Sequence, residues 1–479
     1  MHQLDAYYGT TVACQYRVPT SLAGKEQLDE LKTYFDRALA RTAIHHPFLR
    51  VGLADADAKA PYWVEVEGID LRRHVTWYTE TGSESDFEEL YLKTYQGFLD
   101  TKFTDLQTLV GWKVAIFRKN ETELDVVFGW NHSNCDGISG KIFHRTLLTY
   151  LNDRETAAKP LPFNKKIRFL ATTATTADLP PPQEDISEYS LSFSFLASTI
   201  WREIAYPWLT GDQSSKALWS PIRTKPYETH RATARLSPTQ LSEVLVKCRE
   251  HDTTLTGLLH GITLVFFAKL LGRDNAKAFV SQTPLNQRRH TLPHSDKFPE
   301  LIPDDTMANY VSILMHDFKP SVLDEIRDLP GGSDPHSTSA AELDRIIWTA
   351  ATNVRADIQR QLDKGTKDDF CGLMKLIPDL RSYFRNELMK PRMPTWLVSN
   401  VGVLDGGLRE QRDDGWTIQK AVISLGAYVN GPACKLNVIS VLDGELAVDV
   451  SWQAGVLEDV DGGRLASEIE GWLQKLGSS

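Results

Sequence analysis

Between residues 112 and 151 the spacing of the apolar side chains changes, and no other feature constrains the fold as much. Residues 112–117 (W-K-V-A-I-F) alternate apolar and polar side chains. Arg118, Lys119, Asn120 and Glu121 break that run, and residues 124–130 (L-D-V-V-F-G-W) resume it. Two β-prone runs with a short polar break predict a hairpin. Beyond Gly137 the period lengthens: Ile138, Ile142, Phe143, Leu147 and Leu151 recur at helical spacing. The junction is the string H-S-N-C-D-G, which sets His132, Asp136 and Gly137 on a strand-to-helix turn. Asn134 and Gly137 suit the irregular backbone that such a turn needs.

A histidine on this turn projects from a rigid base. Its ordinary pKa, ~6.5, lets it take and return a proton near neutrality. A lone base with no nucleophile beside it suits direct attack of a bound alcohol or amine on an activated acyl group. Asp136 reads as structural rather than as a second base. A buried carboxylate at a tight turn needs a cationic partner, and Arg288 and Arg289 are the candidates. The oxyanion of a tetrahedral intermediate would need a fixed donor such as a backbone N–H, Ser, Asn or Tyr. Cys135 reads as a small buried residue. The bland alternative is that H-x-x-x-D arises often by chance, and a His near an Asp is commonly only a satisfied polar pair. No metal site is expected, because zinc needs three or four ligands and no further His/Cys pair stands at ligand spacing. His45 and His46 are adjacent, so their side chains are expected to diverge.

At 479 residues the chain exceeds one ordinary core, which implies two or three domains. The apolar and charged shares, 42% and 24%, are those of a globular protein. A net charge of −10 argues against a nucleic-acid partner, which would call for a basic stripe. Five cysteines, scattered and odd in number, do not form a disulfide framework. No basic stretch followed by an apolar core reads at the start, so a reducing, cytoplasmic setting is expected, and the two-domain build suggests a monomer. The most hydrophobic long segment, residues 189–209, is interrupted by Arg202, Glu203 and Pro207. It is expected to be an interdomain helix with a buried face rather than a membrane contact.

Residues 26–40 predict an amphipathic helix, with Leu28, Leu31, Phe35, Ala38 and Leu39 on one face. Residues 153–188 are polar and rich in Pro and Thr, as in a linker or long crossover. A second half opens near Tyr227. Ser237 and Pro238 predict a capped helix start, and residues 253–271 a helix buried on most sides. Residues 278–283 and 310–315 read as strands, residues 331–339 as a loop, and residues 366–369 as a helix end or loop. Residues 435–441 and 445–452 predict a hairpin closed by a two-residue turn at Asp443 and Gly444. A last helix spans residues 464–476. The partition is therefore 1–165, a linker at 166–226, and 227–479. Helix, hairpin and helix recur in both halves, which suggests two similarly built α/β domains with a ligand cleft between them.

Seven segments in this order carry a family resemblance. They are H-H-P-F-L-R at 45–50, H-S-N-C-D-G at 132–137, and the buried helix that opens T-T-L-T-G-L-L at 253. They continue with T-P-L-N-Q-R-R at 283–289, A-N-Y at 308–310, S-N-V-G at 399–402 and V-D-V-S-W at 448–452. Together they resemble the alcohol O-acetyltransferases of the chloramphenicol-acetyltransferase-like superfamily. Plant BAHD acyltransferases and peptide-synthetase condensation domains are its distant relatives. The resemblance implies an α/β fold of mixed sheets, with two similar domains around a central tunnel. It implies that His132 deprotonates an acceptor hydroxyl, which attacks the thioester of acetyl-CoA or another acyl-CoA directly, and that His132 then protonates the departing sulfur. It implies that Asp136 pairs with Arg288, and that Ser399, Asn400 and Ser424 line the tunnel near the donor. Neither metal nor nucleic acid belongs to this picture.

Asn131 stands where condensation domains carry the first histidine of H-H-x-x-x-D-G, which favours a stand-alone transferase. The D-F-G-W-G segment of plant BAHD enzymes is absent, and residues 413–416 (D-D-G-W) only echo it. Both departures point to microbial, especially fungal, alcohol acetyltransferases. The expected function is acyl transfer to an alcohol of a small or secondary metabolite. The alternatives are transfer from an acyl carrier protein, or a repurposed pocket that binds or converts a metabolite without acyl transfer.

Overall fold

A computed structural model describes residues 1–479 except 80–82, 154, 156–158, 167, 173–178, 202–213, 292–297, 331–337, 410–413 and 478–479. Two mixed sheets carry the fold. The first has five strands in the order Thr417–Leu425, Thr10–Arg17, Glu123–Trp130, Trp112–Arg118 and Val75–Tyr78. Its centre is the expected hairpin, with Trp112 opposite Trp130 and Lys113 opposite Gly129. Helix Gly137–Asn152 follows and packs on this sheet, where the rings of Phe128 and Phe143 stack 3.8 Å apart. Helix Leu28–His45 lies beside it and runs one turn past the expected end.

The second sheet has six strands, in the order Thr229–Leu236, Leu446–Gln453, Cys434–Val441, Trp396–Leu404, Phe279–Asn286 and Val311–Phe318. Trp396–Leu404 runs parallel to both of its neighbours, and a parallel pairing requires a long crossover. Part of that crossover is helix Thr338–Lys364. Thr338 and Ser339 open this helix rather than close a loop, while residues 331–337 lie outside the described residues. Helix Leu255–Leu270 is buried along nearly its whole length. Helix Pro238–Glu250 starts at a capping box between Ser237 and Gln240 with proline at its first turn. The hairpin of the last two strands closes differently from expectation. Val441 pairs with Glu445, so residues 442–444 form the loop, with Asp443 at φ 59°.

Each half has its own core, one around Phe35, Phe128, Trp130 and Phe143, the other around Leu258, Phe267, Trp396 and Val448. The contiguous unit expected at 227–479 does not hold at the level of the sheets. Strand Thr417–Leu425 crosses over and pairs antiparallel with Thr10–Arg17. It covers an edge of the first sheet that would otherwise present unpaired backbone groups. Met307, Ala308 and Tyr310 also pack into the first core, so the halves are tied together where the His132 turn lies. The expected buried face at 189–209 is absent from helix Phe193–Ile200, in which no residue is buried. Residues 202–209 lie outside the described residues. Among the described residues no single helix is long and apolar enough to cross a membrane.

Candidate active site

Residues 131–136 form the turn between strand and helix, and neighbouring backbone pins it from several sides. Asn131 N–H donates to Gly111 O at 2.8 Å, and Asn134 N–H to Asn131 O at 3.0 Å. The Asn134 side chain reaches Phe48 O at 3.3 Å, and the Trp130 indole donates to Cys135 O at 2.9 Å. The 45–50 segment is thus a prop for the turn. Its two histidines do not diverge: their ring centroids lie 4.6 Å apart. Both rings bond one turn-to-turn pair on the motif helix, His45 to Tyr150 and His46 to Thr146. Cys135 is fully buried, and burial pushes its thiol above the ordinary range. It stays protonated and serves as packing.

Asp136 caps the motif helix, accepting from Ser139 N–H at 3.0 Å and Ser139 Oγ at 2.8 Å. Arg288 approaches the same carboxylate end-on, with Nη1 2.7 Å from Oδ2 and Nη2 3.1 Å from Oδ1. Both side chains are shut off from solvent. Arg288 also donates to Pro303 O, Thr306 O and Ala308 O, each at 3.1 Å. Arg289, the other candidate, is exposed. A bidentate pair of this geometry is strong and directional, and here it fastens the second half of the chain to the motif.

The same carboxylate accepts from Tyr310 N–H at 3.0 Å. That bond sets Asn309 beside the histidine, where Asn309 Nδ2 donates to His132 O at 2.7 Å and to Ser133 O at 3.0 Å. His132 itself is half-buried. The Tyr7 ring stands edge-on to it, with centroids 5.4 Å apart, and Tyr428 lies 5.3 Å from Tyr7 in turn. Burial lowers the His132 pKa below 6.5. Its bond to its own main-chain carbonyl, the charge of Asp136 and the Asn309 side chain oppose that shift without cancelling it. The ring is therefore neutral near pH 7.

Gly137 opens the helix at a close approach. A Cβ there would meet Val401 Cγ1 at 3.2 Å. This contact brings strand Trp396–Leu404 against the motif, and Lys141 Nζ donates to Val401 O at 2.8 Å. Ser399 is buried and Asn400 exposed on that strand. Asn400 accepts from Gly402 N–H at 2.9 Å and donates to Thr256 at 3.2 Å. Ser424 is placed otherwise. It is wholly buried, donates to Asp449 at 2.5 Å and accepts from Tyr95 at 3.0 Å. Its hydroxyl belongs to an internal network that also holds Arg231, and it is not free for a ligand. Asp414 accepts from Thr20 N–H at 2.5 Å, so the D-D-G-W echo is structural from there on. Asp413 lies outside the described residues.

Asn309, Ser139 and Tyr7 are the neighbours of the site that sequence reading did not single out. Asn309 had a signal in A-N-Y, which reads only as one of the segments of the family resemblance. Tyr7 had none, since nothing local tells which strand end it will face.

Residues 104–462 match the family model described as alcohol acetyltransferase. The chain is 25% identical over 486 residues to a probable alcohol acetyltransferase of Fusarium pseudograminearum, covering all of this chain and 93% of that one. It is 24% identical over 411 residues to a probable alcohol acetyltransferase of Aspergillus fumigatus, covering 83% and 81%. In structure it is similar to the trichothecene 15-O-acetyltransferase of Fusarium sporotrichioides, with a TM-score of 0.72, 13% identity, and 98% and 91% of the two chains covered. It is also similar to the first condensation domain of the calcium-dependent antibiotic synthetase, with a TM-score of 0.56, 14% identity, and 100% and 93% covered. The fold is that of the two-domain, chloramphenicol-acetyltransferase-like acyltransferases. By the extent of the family match, the chain belongs to the alcohol acetyltransferase family, whose members are transferases that place an acyl group on an alcohol.

Proposed function

We propose that the protein transfers an acetyl group from acetyl-CoA to a hydroxyl of a small secondary metabolite, with His132 as general base. The imidazole takes the hydroxyl proton as the oxygen forms its bond to the thioester carbonyl carbon. The tetrahedral intermediate then loses the sulfur, and the same proton passes from the imidazole to the thiolate. The ester and free CoA leave, and the ring is neutral again. The observation that carries this reading is the neutral, half-buried imidazole, its own carbonyl clamped by Asn309. A base held this way costs little reorganisation when the proton moves. Asp136, Gly137 and Arg288 act as positioning residues that hold the turn. Ser399 and Asn400, brought next to the motif by Val401, are the residues proposed to meet the donor.

Calorimetric titration with acetyl-CoA tests the donor without knowledge of the acceptor. Micromolar binding of acetyl-CoA, above that of longer acyl-CoAs, is expected. No binding of any CoA species would move the donor to a carrier-bound acyl group.

A further inference from the structure

One buried cation of this chain has no countercharge. Arg392 lies just before strand Trp396–Leu404 and is 1% exposed. Its guanidinium makes two hydrogen bonds, both to carbonyls. Nε donates to Ser220 O at 3.0 Å and Nη1 to Gly431 O. Nη2 is buried and has no partner. It shares one edge of the planar fork with Nε and another with Nη1, so its N–H bonds face the gap between Ser220 and residues 430–431. Both residues that flank the gap carry orphaned polar atoms too. Ser220 is wholly buried, and its Oγ has no partner. The side-chain Oδ1 of Asn430 is likewise buried and unpartnered.

Carbonyls satisfy N–H groups, but they do not neutralise a charge. A guanidinium does not shed its proton in a protein. Burial lowers the Arg392 pKa only to about 10, so the group is charged at neutral pH. No carboxylate pairs with it among the described residues, and a lone buried charge is costly. Lys435, another buried cation, feels the Arg392 charge and adds to the excess. Its Nζ donates to Gly426 O at 2.8 Å. The carboxylates that Lys435 senses, Asp100 and Asp449, are engaged elsewhere. Thr229 donates to Asp100, and Arg231 and Ser424 donate to Asp449. Water would complete the hydrogen bonds of Arg392 and leave the charge. A small anion does both.

From this arrangement we infer that Arg392, Ser220 and Asn430 enclose a binding site for one small monovalent anion of chloride size. Arg392 Nη2 and Ser220 Oγ donate to the ion, and the Asn430 amide, turned with its NH2 inward, supplies a third donor. Arg392 and Ser220 are closed to solvent, which favours a monatomic ion over sulfate or phosphate. The ion braces three segments where they meet. Residues 217–220 are held through Ala217 N–H, which donates to Arg392 O at 2.8 Å. Arg392 itself leads into strand Trp396–Leu404. Residues 426–433 form the third segment and carry Tyr428, whose ring lies 5.3 Å from Tyr7 and so backs the wall beside His132. The inference does not depend on the transferred group or on His132 as the base.

Thermal unfolding of the full chain at constant ionic strength, in sodium chloride, bromide or gluconate, tests it. A saturable rise of the midpoint with chloride and bromide is expected, absent in gluconate. A crystal grown in bromide should show an anomalous peak within hydrogen-bond distance of Arg392 Nη2 and Ser220 Oγ. Ser220→Ala should raise the half-saturating chloride concentration ~10-fold, the weight of one hydrogen bond to a charged group. Arg392→Met should abolish the halide response. If that variant does not fold, the bromide map and Ser220→Ala still decide. A midpoint indifferent to halide would overturn the inference. So would a bromide map with only water beside Arg392, or a folded Arg392→Met that keeps the full halide response.

Discussion

Replacing Arg288 by methionine keeps the alkyl stem and removes the guanidinium. Asp136 is then left buried with no countercharge, although Ser139 and Tyr310 N–H still donate to it. The Thr306 carbonyl loses its donor as well, while Pro303 O keeps Thr306 N–H and Ala308 O keeps Asp136 N–H. Breaking one partner out of a buried ion pair costs ~3–5 kcal/mol. A stranded acceptor adds ~1–3 kcal/mol unless water replaces the donor. A loss of about 4 kcal/mol at neutral pH is expected, measured by urea unfolding of the parent and Arg288→Met. Adding Asp136→Asn to Arg288→Met should restore part of the loss, since a neutral amide is cheaper to bury than a lone carboxylate. A deficit below ~1 kcal/mol at neutral pH, or a double variant worse than Arg288→Met alone, would refute this picture of the pair.

Asn309→Asp turns a donor to two carbonyls into an acceptor that repels them. It should lower kcat by ~10–100-fold, as expected for loss of positioning, with KM nearly unchanged in steady-state assays. Because His132 titrates below 6.5, kcat/KM should hold its plateau into mildly acid pH and fall only as the ring protonates. An acid limb centred above 6.5 would contradict the burial of the ring. Stability should follow a related course. Burial lowers His46 to about 3 and His144 to about 4, and His260 lies well below 6.5. The unfolded chain therefore binds protons that the folded chain refuses, so stability is intact above pH 6.5 and falls as pH drops below it. Chemical denaturation across that range is the check. Gly140→Ala puts a Cβ 2.5 Å from the Trp130 ring and 2.6 Å from Val12 Cγ2. The overpacking should cost ~1–3 kcal/mol of stability, read as a shift in the denaturation midpoint.

The strand-to-helix junction was legible because both periods are local. Residues 112–130 pair with each other, and the apolar stripe from Ile142 to Leu151 needs no distant partner to be recognised. The ion pair was legible only in part. The need for a cation beside Asp136 follows from burial, but nothing local distinguishes Arg288 from Arg289. That choice depends on the short helix Gln287–His290, which turns one arginine inward and the other out. Strand Thr417–Leu425 shows the limit of period-two patterns. Alternation says which side chains share a face, not which strand lies alongside, and its partner Thr10–Arg17 stands at the far end of the chain. Ser424 sits on that strand, and its engagement with Asp449 and Tyr95 depends on a pairing invisible in the sequence. The missing buried face of 189–201 has the opposite lesson. Apolar composition announces that a segment will leave water, but not that a core is available to receive it.

The most direct test of His132 as the base is CoA release from acetyl-CoA, measured with a panel of small alcohols for the parent and for His132→Ala. The expected result is acceptor-dependent CoA release by the parent and a kcat lower by ~10²–10⁴-fold in the variant. Acetyl-CoA affinity should be unchanged, since the ring is proposed to act on the acceptor and not to hold the donor. A variant that turns over like the parent with any acceptor would contradict the assignment of His132.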